Sequence, residues 1–162
     1  MTDVVPVEPP HGAAAVDGIR PTALAREGLA GLRAALRADG LPDDDLDADG
    51  VKLFAFDLGG DTIGYGGLEV RGGHALLRSI VVDPARRREG VGRRIVEFLG
   101  ATAAREGVRR GFLLTTGARR YFERMGFVAV DRRDAPPEIL ATRQATGLCP
   151  ASAVLMAKAL RG

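Results

Sequence analysis

The sequence has few of the features that cross-link a small protein or hold it in a membrane: it has one cysteine, no tryptophan and no long apolar run in 162 residues. The single cysteine, Cys149, excludes a disulfide within the chain and is typical of a reducing cytoplasm. No run approaches the roughly 18 to 20 apolar residues of a membrane span, and the N-terminus lacks the basic start and apolar core of a signal peptide. We therefore expect a cytoplasmic protein that is not held in a membrane.

Length and composition predict one folded domain behind a short leader. Hydrophobic residues make up 46% and charged residues 27% of the chain, which is ordinary for a globular protein. A chain of this length buries most of its apolar surface without disulfides or metals. Residues 1–12, which contain three prolines, are predicted to be poorly ordered, and residues 13–162 form the domain.

The charge balance does not indicate a nucleic-acid partner. The net charge is only +2. Apart from Lys52 and Lys158, every Lys or Arg position is an arginine, so clusters of arginines arise easily from the composition alone. Nucleic-acid binding through such a cluster also needs exposed aromatic side chains, yet the chain has two tyrosines and no tryptophan. We expect neither nucleic acid nor a membrane as partner.

Hydrophobic periodicity predicts a mixed α/β sheet. An amphipathic stripe of leucines predicts a first helix over residues 22–38, with Thr22 as its N-cap. The segments that follow are three strands (51–58, 62–70, 74–83), a helix (90–107), a strand (108–116), a short helix (118–126), a strand (127–130), a helical patch (136–146) and a last strand (151–160). Strands separated by a helix are expected to pair in parallel. The acidic segment 41–50 lacks the glycine and closing glutamate of an EF-hand, so we expect a solvated loop there.

The second hairpin brings two charged residues to one face. Gly72-Gly73 suit a two-residue turn, so Glu69 faces Leu76 and Gly67 faces Arg78. Side-chain alternation then divides the hairpin into two sets. Tyr65, Glu69, Leu76 and Arg78 share one face, and Leu68, Val70, Leu77 and Val81 form the other, which is the predicted core face.

The segment "VVDPARRREGVGRRI", residues 81–95, predicts an anion site. A strand ends at Asp83-Pro84, a turn holds Gly90 and Gly92, and a helix begins at once. A helix N-terminus leaves backbone N–H groups unpaired and carries partial positive charge, and glycines let a diphosphate approach closely. The neighbouring arginines add charge-assisted contacts. The segment lacks the GK[ST] ending of a nucleotide P-loop, so another phosphate carrier is expected.

Two motifs together resemble the GNAT (GCN5-related N-acetyltransferase) superfamily. The family's pyrophosphate motif appears as Arg87-Arg88-Glu89-Gly90-Val91-Gly92 after a strand ending in "VVDP". A short helix ending in Gly-Phe appears as "ARRYFERMGF", residues 118–127. The resemblance covers roughly residues 13–160 and implies a central mixed sheet of six to seven strands flanked by about four helices.

The resemblance implies that acetyl-CoA is the co-substrate. Its pyrophosphate would lie on the backbone N–H groups of residues 88–93, with Arg87 and Phe122 as further contacts. These loop residues are Arg88, Glu89, Gly90, Val91, Gly92 and Arg93. The pantetheine arm would bond the edge of the strand carrying Ile80, Val81 and Val82. Such enzymes transfer acetyl by direct attack of an amine in a ternary complex, and family members often dimerise.

Candidate catalytic residues depart from the family pattern. Histone-modifying members carry a base Glu where this chain has Leu76, so its cross-strand neighbour Glu69 is the predicted general base; the alternative is an exposed Glu–Arg pair contributing roughly 0–1 kcal/mol. Many members place a proton-donating Tyr where this chain has Phe122. Tyr121 is the candidate acid, although one residue is about 100° around a helix. Thr115, in a position where many relatives carry Asn, would bond the cofactor arm or the carbonyl; ordinary strand-end packing is the alternative.

Substrate contacts are predicted from the polar tail and the hairpin. "GYGGLEV", "ALLRSIVVDPARR", "LLTT" and "ATRQATGLCPASAVLMAK" resemble the arsenic-resistance acetyltransferases, the ArsN group, which implies a small amine or amino-acid-like acceptor. Four residues would bind it, with the arginines pairing an acidic group: Arg78, Thr142, Arg143 and Ser152. Cys149 is expected to be a small buried residue, with a nucleophile or arsenic ligand as the alternative. His11 and His74 have no partners in sequence that indicate a metal site.

Three functions therefore remain open. The first is an acetyl-CoA-dependent N-acetyltransferase acting on an amino-acid-like toxin that contains arsenic or a phosphinate. The second is acetylation of a metabolic amino acid of the glutamate type. The third, suggested by Phe122, is a CoA-binding or sensing module with weak catalysis.

Overall fold

The structure is a computed structural model that describes residues 18–161, and within them the chain forms a mixed α/β fold. Seven strands are present among these residues: β1 (Arg20–Ala23), β2 (Val51–Leu58), β3 (Asp61–Arg71), β4 (His74–Val82), β5 (Arg110–Thr115), β6 (Val128–Ala129) and β7 (Val154–Ala159). The α-helices of the described chain are α1 (Ala30–Ala38), α2 (Val91–Arg105), α3 (Arg119–Glu123) and α4 (Pro137–Leu140), and Gln144–Leu148 form a π-helical turn. The predicted fold class is confirmed. The predicted leader, residues 1–12, and His11 lie outside the described residues.

The strands form one sheet in the order β1-β2-β3-β4-β5-β7-β6. The pairing of β4 with β5 is parallel, from His74↔Arg110 to Leu76↔Phe112, as expected for strands joined through α2. The same rule is wrong for β6 and β7. They pair antiparallel although α4 lies between them, because the connection 130–153 returns the chain to the end of the sheet at which β6 finished, so that β7 runs in the opposite direction.

The predicted N-cap at Thr22 is wrong. Thr22 lies in β1, opposite Ala55 of β2, and its hydroxyl donates to Asp57 Oδ2 at 3.3 Å. The helix begins later, at Ala30. Strand pairing therefore overrides the local capping signal, and the leucine stripe is divided: Leu29, Leu32 and Leu36 are buried, whereas Leu24 precedes the helix.

Contacts divide the described chain into two units, and the single domain predicted over residues 13–162 stays a prediction. The first unit consists of the described residues up to Gly67 and of Ser79–Leu99; the second consists of Leu68–Arg78 and of the described residues from Gly100. No helix within residues 18–161 combines the length and the hydropathy that crossing a bilayer requires.

In the first unit, α1 packs on the strands through an apolar cluster. Its buried members are Leu29, Leu32, Leu36, Leu46, Leu53 and Val81. The acidic loop between α1 and β2 contributes Leu46 to this cluster and Asp43 to two arginines of α1, Arg33 and Arg37. The loop is therefore partly a packing element and not only a solvated connection.

The first turns of α2 lie close to β3 because two glycines leave room for them. A Cβ atom built on Gly66 would lie 2.6 Å from Ile95 Cγ2, and one on Gly64 would lie 2.8 Å from Ile95 Cδ1 and 3.0 Å from the Val81 carbonyl oxygen. Real Cβ atoms do not approach so closely, because interiors are packed to van der Waals contact. Helix α2, which follows the predicted diphosphate loop, therefore packs directly against the backbone of β3 at these two glycines.

Strand β4 does not keep its alternation to the end. Ser79 has a φ of 54°, a left-handed conformation that is uncommon for residues other than glycine. Beyond it, Val81 packs in the same cluster as Tyr65, so the sequence-based assignment of these two residues to opposite faces is wrong. The backbone turn at Ser79 shifts the alternation.

In the second unit, both faces of the hairpin are covered. Leu76 packs with Phe112, Ile139, Leu155 and Ala157 in a buried cluster, while Leu68 and Leu77 are buried as well. The face predicted to be the less buried one is therefore also core. His74 Nδ1 lies 2.6 Å from Glu138 Oε1. A hydrogen bond from the backbone N–H of Glu138, together with His74, lowers the pKa of that carboxyl.

Candidate active site

The predicted diphosphate loop of the first unit has the geometry of an anion cradle. After β4, Asp83 Oδ1 accepts a bond from Ala85 N–H at 3.0 Å and closes a short 3₁₀ turn. Arg88 and Gly90 then adopt positive φ values of 71° and 85°. Such a turn directs successive N–H groups to one side. The first α2 bond runs from Arg94 N–H to the Gly90 carbonyl at 3.2 Å, so the N–H groups of residues 91–93 precede the helical ladder.

The arginines of this loop differ in surroundings. Arg87 Nη2 lies 2.7 Å from Asp39 Oδ1 at the end of α1, and Arg86 Nη1 lies 3.8 Å from Glu89 Oε1. Arg88 and Arg93 are exposed, whereas Arg94 is buried, with only 1% of its surface exposed. Arg87 thus already contacts a carboxylate of another element.

A cleft of about 400 Å³ opens beside this loop within the first unit. Small and apolar residues of α1, β3 and β4 form most of its wall, with charged residues from the loop and the end of α1. The lining consists of Gly31, Ala35, Ala38, Asp39, Thr62, Ile63, Gly64, Tyr65, Val81, Val82, Asp83, Pro84 and Arg87. Of the strand predicted to bind a pantetheine arm, Ile80 and Val82 are half-buried and Val81 is buried.

Tyr65 places its hydroxyl in this cleft beside Gly31. A Cβ atom built on Gly31 would lie 2.5 Å from the Tyr65 Oη, so the hydroxyl occupies space that only glycine leaves. Burial and, to a lesser extent, the Asp57 carboxylate raise the pKa of Tyr65. The hydroxyl therefore remains protonated and neutral through the physiological pH range.

In the second unit, Glu69 is clamped by two arginines. Arg78 Nη1 donates to Glu69 Oε1 at 3.1 Å, and Arg71 Nη2 and Nε donate to Oε2 at 2.8 and 3.0 Å. Glu69 and Arg78 are only 2% and 4% exposed. The alternative of an exposed cross-strand pair is therefore wrong, because this pair is buried. The prediction of Glu69 as general base and Arg78 as substrate anchor has to accommodate these contacts.

The residues around the Gly-Phe motif point in different directions. Thr115 Oγ1 accepts a bond from Ala118 N–H at 3.0 Å and so shapes the turn into α3. Tyr121 is 38% exposed, while the adjacent Phe122 is buried at 8% and meets Phe127 edge to face. Phe122 takes the inward position, as the helical offset of one residue predicts.

The tail predicted to contact substrate is organised by its own backbone. The Thr142 hydroxyl donates to the Ile139 carbonyl at 2.8 Å and accepts from Ala145 N–H at 3.3 Å, and the residue is 3% exposed. Arg143 and Ser152 are exposed. Cys149 is half-buried, and its Sγ lies 3.2 Å from Gln144 Oε1.

Sequence reasoning missed several residues that shape these sites. Arg132 donates to the carbonyls of Ala145 and Ala153, at 3.3 and 3.2 Å, and so holds the tail together. No local pattern marks this arginine among 20 others in a chain rich in arginine. Asp39, Tyr65 and Arg71 were missed because their partners are not marked by a local pattern. Asp39 contacts Arg87 and Tyr65 contacts Gly31, both distant in sequence, and Arg71 binds Glu69 two residues away on the same strand.

Comparison with known proteins gives one family and many similar folds. The sequence profile described as "Acetyltransferase (GNAT) domain" matches residues 49–129, half of the chain. No curated protein matches the chain.

Solved structures of this fold include enzymes that act on different acceptors. A GNAT-family acetyltransferase from Staphylococcus aureus has a TM-score of 0.70 at 15% identity, covering 89% of this chain and 100% of its own. The ribosomal-protein-S18-alanine N-acetyltransferase from Escherichia coli gives 0.68 at 19%, covering 89% and 95%. N-acetylglutamate synthase from Neisseria gonorrhoeae, complexed with coenzyme A and N-acetyl-glutamate, gives 0.68 at 15%, covering 100% of this chain and 36% of its own. At these identities the likeness shows a shared fold.

Proposed function

Since the chain belongs to the GNAT family and is an acetyl-CoA-dependent N-acetyltransferase, we propose that it acetylates the amine of a small amino-acid-like molecule by direct attack in a ternary complex. The diphosphate loop supports this proposal most strongly. Its positive φ values at Arg88 and Gly90 and the open first turn of α2 suit the diphosphate of acetyl-CoA. Residues 87–93 would hold the diphosphate, and the strand residues Ile80, Val81 and Val82 would receive the pantetheine arm.

The reaction needs a neutral amine and a leaving group that can depart. The amine lone pair attacks the thioester carbonyl, the C–S bond breaks, and the amine loses a proton while the CoA thiolate gains one. Glu69 is the proposed base. Because guanidinium N–H groups already bond both of its oxygens, we propose that the proton reaches it through water. Tyr121 or solvent would protonate the thiolate, and Thr115 would bond the arm of the cofactor.

An acidic amino-acid analogue is the proposed acceptor. The resemblance to arsenic-resistance acetyltransferases supports a molecule with an arsinate- or phosphinate-like group, and the similar fold bound to N-acetyl-glutamate supports a carboxylate. Arg143 is exposed, whereas Arg78 is buried against Glu69. Arg143, with Ser152, is therefore the better anchor for the acidic group, and Thr142 shapes the segment that carries them.

A second candidate function rests on one observation. Phe122, where many relatives carry the proton-donating Tyr, is buried and cannot donate a proton. A protein that binds CoA but turns over slowly, as a sensing module would, fits that residue.

The deciding experiment is a thiol-release assay with acetyl-CoA and a panel of amines. Glutamate, aspartate and phosphinothricin- or arsinothricin-like amino acids are the first acceptors to test. Turnover with one acidic analogue, reduced in Arg143→Gln and retained in the exposed-loop variant Arg133→Gln, supports the proposal. Acetyl-CoA that raises the melting temperature without turnover on any amine of the panel contradicts the proposed acceptor class and favours the sensing module.

We expect Asp39→Asn to tighten acetyl-CoA binding by about two- to fivefold at low salt. The Asp39 carboxylate holds Arg87 at 2.7 Å, so a diphosphate has to compete for this guanidinium; the exposed pair contributes about 1 kcal/mol or less. Isothermal titration at two salt concentrations measures the change, which should shrink at high salt. Asp44→Asn makes the same charge change at an exposed position of the acidic loop. Equal tightening in both variants would mean that net charge, and not Arg87, is responsible.

A further inference from the structure

In the second unit, the segment that leads into β7 is tied to the end of β6 by one guanidinium. Arg132 Nη1 donates to the Ala145 carbonyl at 3.3 Å, and Nη2 donates to the Ala153 carbonyl at 3.2 Å. These carbonyls lie at the two ends of residues 145–153, and Arg132 itself is half-buried. The reaction scheme above gives this arginine no role.

The Ala145 carbonyl is one that a proline leaves without a backbone partner. In the π-helical turn, the Cys149 N–H donates to the carbonyl of Gln144, five residues back, at 2.9 Å. The next bond of this pattern would join residue 150 to Ala145, but residue 150 is a proline and has no N–H. Backbone carbonyls that are removed from water ordinarily have a partner. The guanidinium of Arg132 supplies it.

The Ala153 carbonyl lies where the ladder between β6 and β7 stops. Continued from the pair Ala129↔Met156, the antiparallel register places Arg132 opposite Ala153. The 3₁₀ turn Arg132–Asp134 begins at this point, and the side chain of Arg132 bonds the carbonyl across the end of the ladder. Ala153 is 6% exposed, so its carbonyl would be costly to leave without a partner.

The segment held in this way carries the exposed residues that are proposed to meet the acceptor. Arg143 precedes Ala145 by two residues, Ser152 immediately precedes Ala153, and both side chains are exposed. A guanidinium is planar and presents its N–H groups in a fixed fork, so it holds the two carbonyls at a set distance from each other. Binding groups at a set distance favour ligands of one length, because small displacements of a binding group are costly.

We propose that Arg132 is a positioning residue for the acceptor: it holds both ends of residues 145–153 and thereby sets the spacing of Arg143 and Ser152. This spacing would decide which length of acidic amino acid fits. The role in acceptor selection rests on the proposed function, whereas the bracing of the segment does not. Arg132 would act through the segment and touch neither the acceptor nor the cofactor.

The brace can be measured without turnover because Cys149, the one cysteine of the chain, lies inside the segment and is half-buried. Its rate of reaction with Ellman's reagent, in the absence of CoA, reports how often the segment opens. We expect Arg132→Gln to raise this rate about fivefold or more, because hydrogen bonds from a charged donor are lost.

Arg133→Gln is the matched control for this measurement. It makes the same charge change one residue away, at a side chain that is 88% exposed and pairs with Asp131. Its Cys149 rate should stay within about twofold of the wild-type rate. Arg132→Lys keeps the charge without the fork, so its rate should lie between those of the wild type and Arg132→Gln. If Arg132→Gln does not fold, Arg132→Lys decides, and a rate equal to that of the wild type counts against the brace.

The acceptor role is measured with the amine that the thiol-release panel identifies. In Arg132→Gln the KM of that amine should rise about three- to tenfold, while the KM of acetyl-CoA stays unchanged. The preference between two acceptors that differ by one methylene group, such as glutamate and aspartate, should shrink. A merely structural loss would lower the amount of active enzyme and leave both KM values and this preference in place.

Three results would overturn the proposal: a Cys149 rate that is unchanged in both Arg132 variants, equal changes in Arg132→Gln and Arg133→Gln, or a KM of acetyl-CoA that rises together with that of the amine. Failure of the proposed function looks different. In that case the Cys149 rate rises in Arg132→Gln and not in Arg133→Gln, but no amine of the panel releases thiol from acetyl-CoA, so the brace stands and the acceptor role falls.

Discussion

Glu69→Leu is expected to lower the free energy of unfolding by about 3–5 kcal/mol, the cost of leaving one partner of a buried ion pair behind. Arg78 has a side chain only 1% exposed beside a carboxylate that is 3% exposed. Leucine has a volume similar to that of glutamate, so the loss reflects charge and hydrogen bonding, not a cavity. Urea denaturation followed by circular dichroism measures it.

Two further variants test this assignment. Arg71→Met removes the other guanidinium, whose side chain is 36% exposed, and should cost less than about 1 kcal/mol. The double variant Glu69→Leu with Arg78→Met should recover most of the loss, because apolar residues often replace a buried pair without cost. A double variant no more stable than Glu69→Leu alone would show that the two charges do not stabilise the fold mainly through each other.

Glu69→Gln separates this structural role from catalysis. Glutamine keeps the shape and one acceptor oxygen, so a stability loss smaller than that of Glu69→Leu is expected. If Glu69 takes the amine's proton, turnover at pH 7 falls steeply while acetyl-CoA binding is kept. A pH–rate profile that keeps its acidic limb in Glu69→Gln would remove Glu69 from the proton path and leave it as the residue that positions Arg78.

Gly66→Val is expected to destabilise the protein by about 1–3 kcal/mol through overpacking and to weaken acetyl-CoA binding by about tenfold or more. A Cβ atom there would lie 2.6 Å from Ile95 Cγ2 and 3.1 Å from Leu99 Cδ1. Both side chains are fully buried, and Ile95 is β-branched, so its side chain has little rotamer freedom in the helix. The helix itself has to move, and its first turn carries the diphosphate loop. Small displacements of a binding group are costly.

A matched glycine provides the control for this prediction. A Cβ atom built on Gly73 would have no heavy atom within 4 Å, and Gly73 is not one of the glycines with a positive φ. Gly73→Ala should therefore change the free energies of unfolding and of acetyl-CoA binding by less than about 0.5 kcal/mol. Calorimetric titration of acetyl-CoA and thermal melts apply to both variants. Unchanged acetyl-CoA affinity in Gly66→Val would mean that the loop does not depend on the close seating of α2.

Signals that are local in sequence predicted much of this fold. The strand–turn–glycine–helix order of residues 81–95 predicted the start of α2, and the apolar stripe of leucines predicted α1, because helix periodicity and caps are read over a few neighbouring residues. The two-glycine turn likewise predicted the hairpin of β3 and β4. These are the parts in which local preference and tertiary packing agree.

The rest depends on partners that are distant along the chain. Thr22 suits a helix cap, but β2 recruits it into a strand, and nothing near Thr22 reports that β2 has a free edge. The left-handed backbone at Ser79 breaks an alternation that its residue type does not announce. Glu69 and Arg78 are buried, but an alternating pattern does not report what covers a face of the sheet, so it leaves an exposed pair as the simpler interpretation.

The position of β7 has a consequence for how the chain is made. This strand lies between β5 and β6 and bonds both, although it follows both in synthesis. At ribosomal rates of about 5–20 residues per second, β5 waits for seconds with an open edge before its neighbour emerges. An unpaired edge is a template for pairing with another chain. Nascent chains stalled before Val154 should therefore depend more on chaperones than the finished protein does, because the last strand to be synthesised is an interior strand of the sheet.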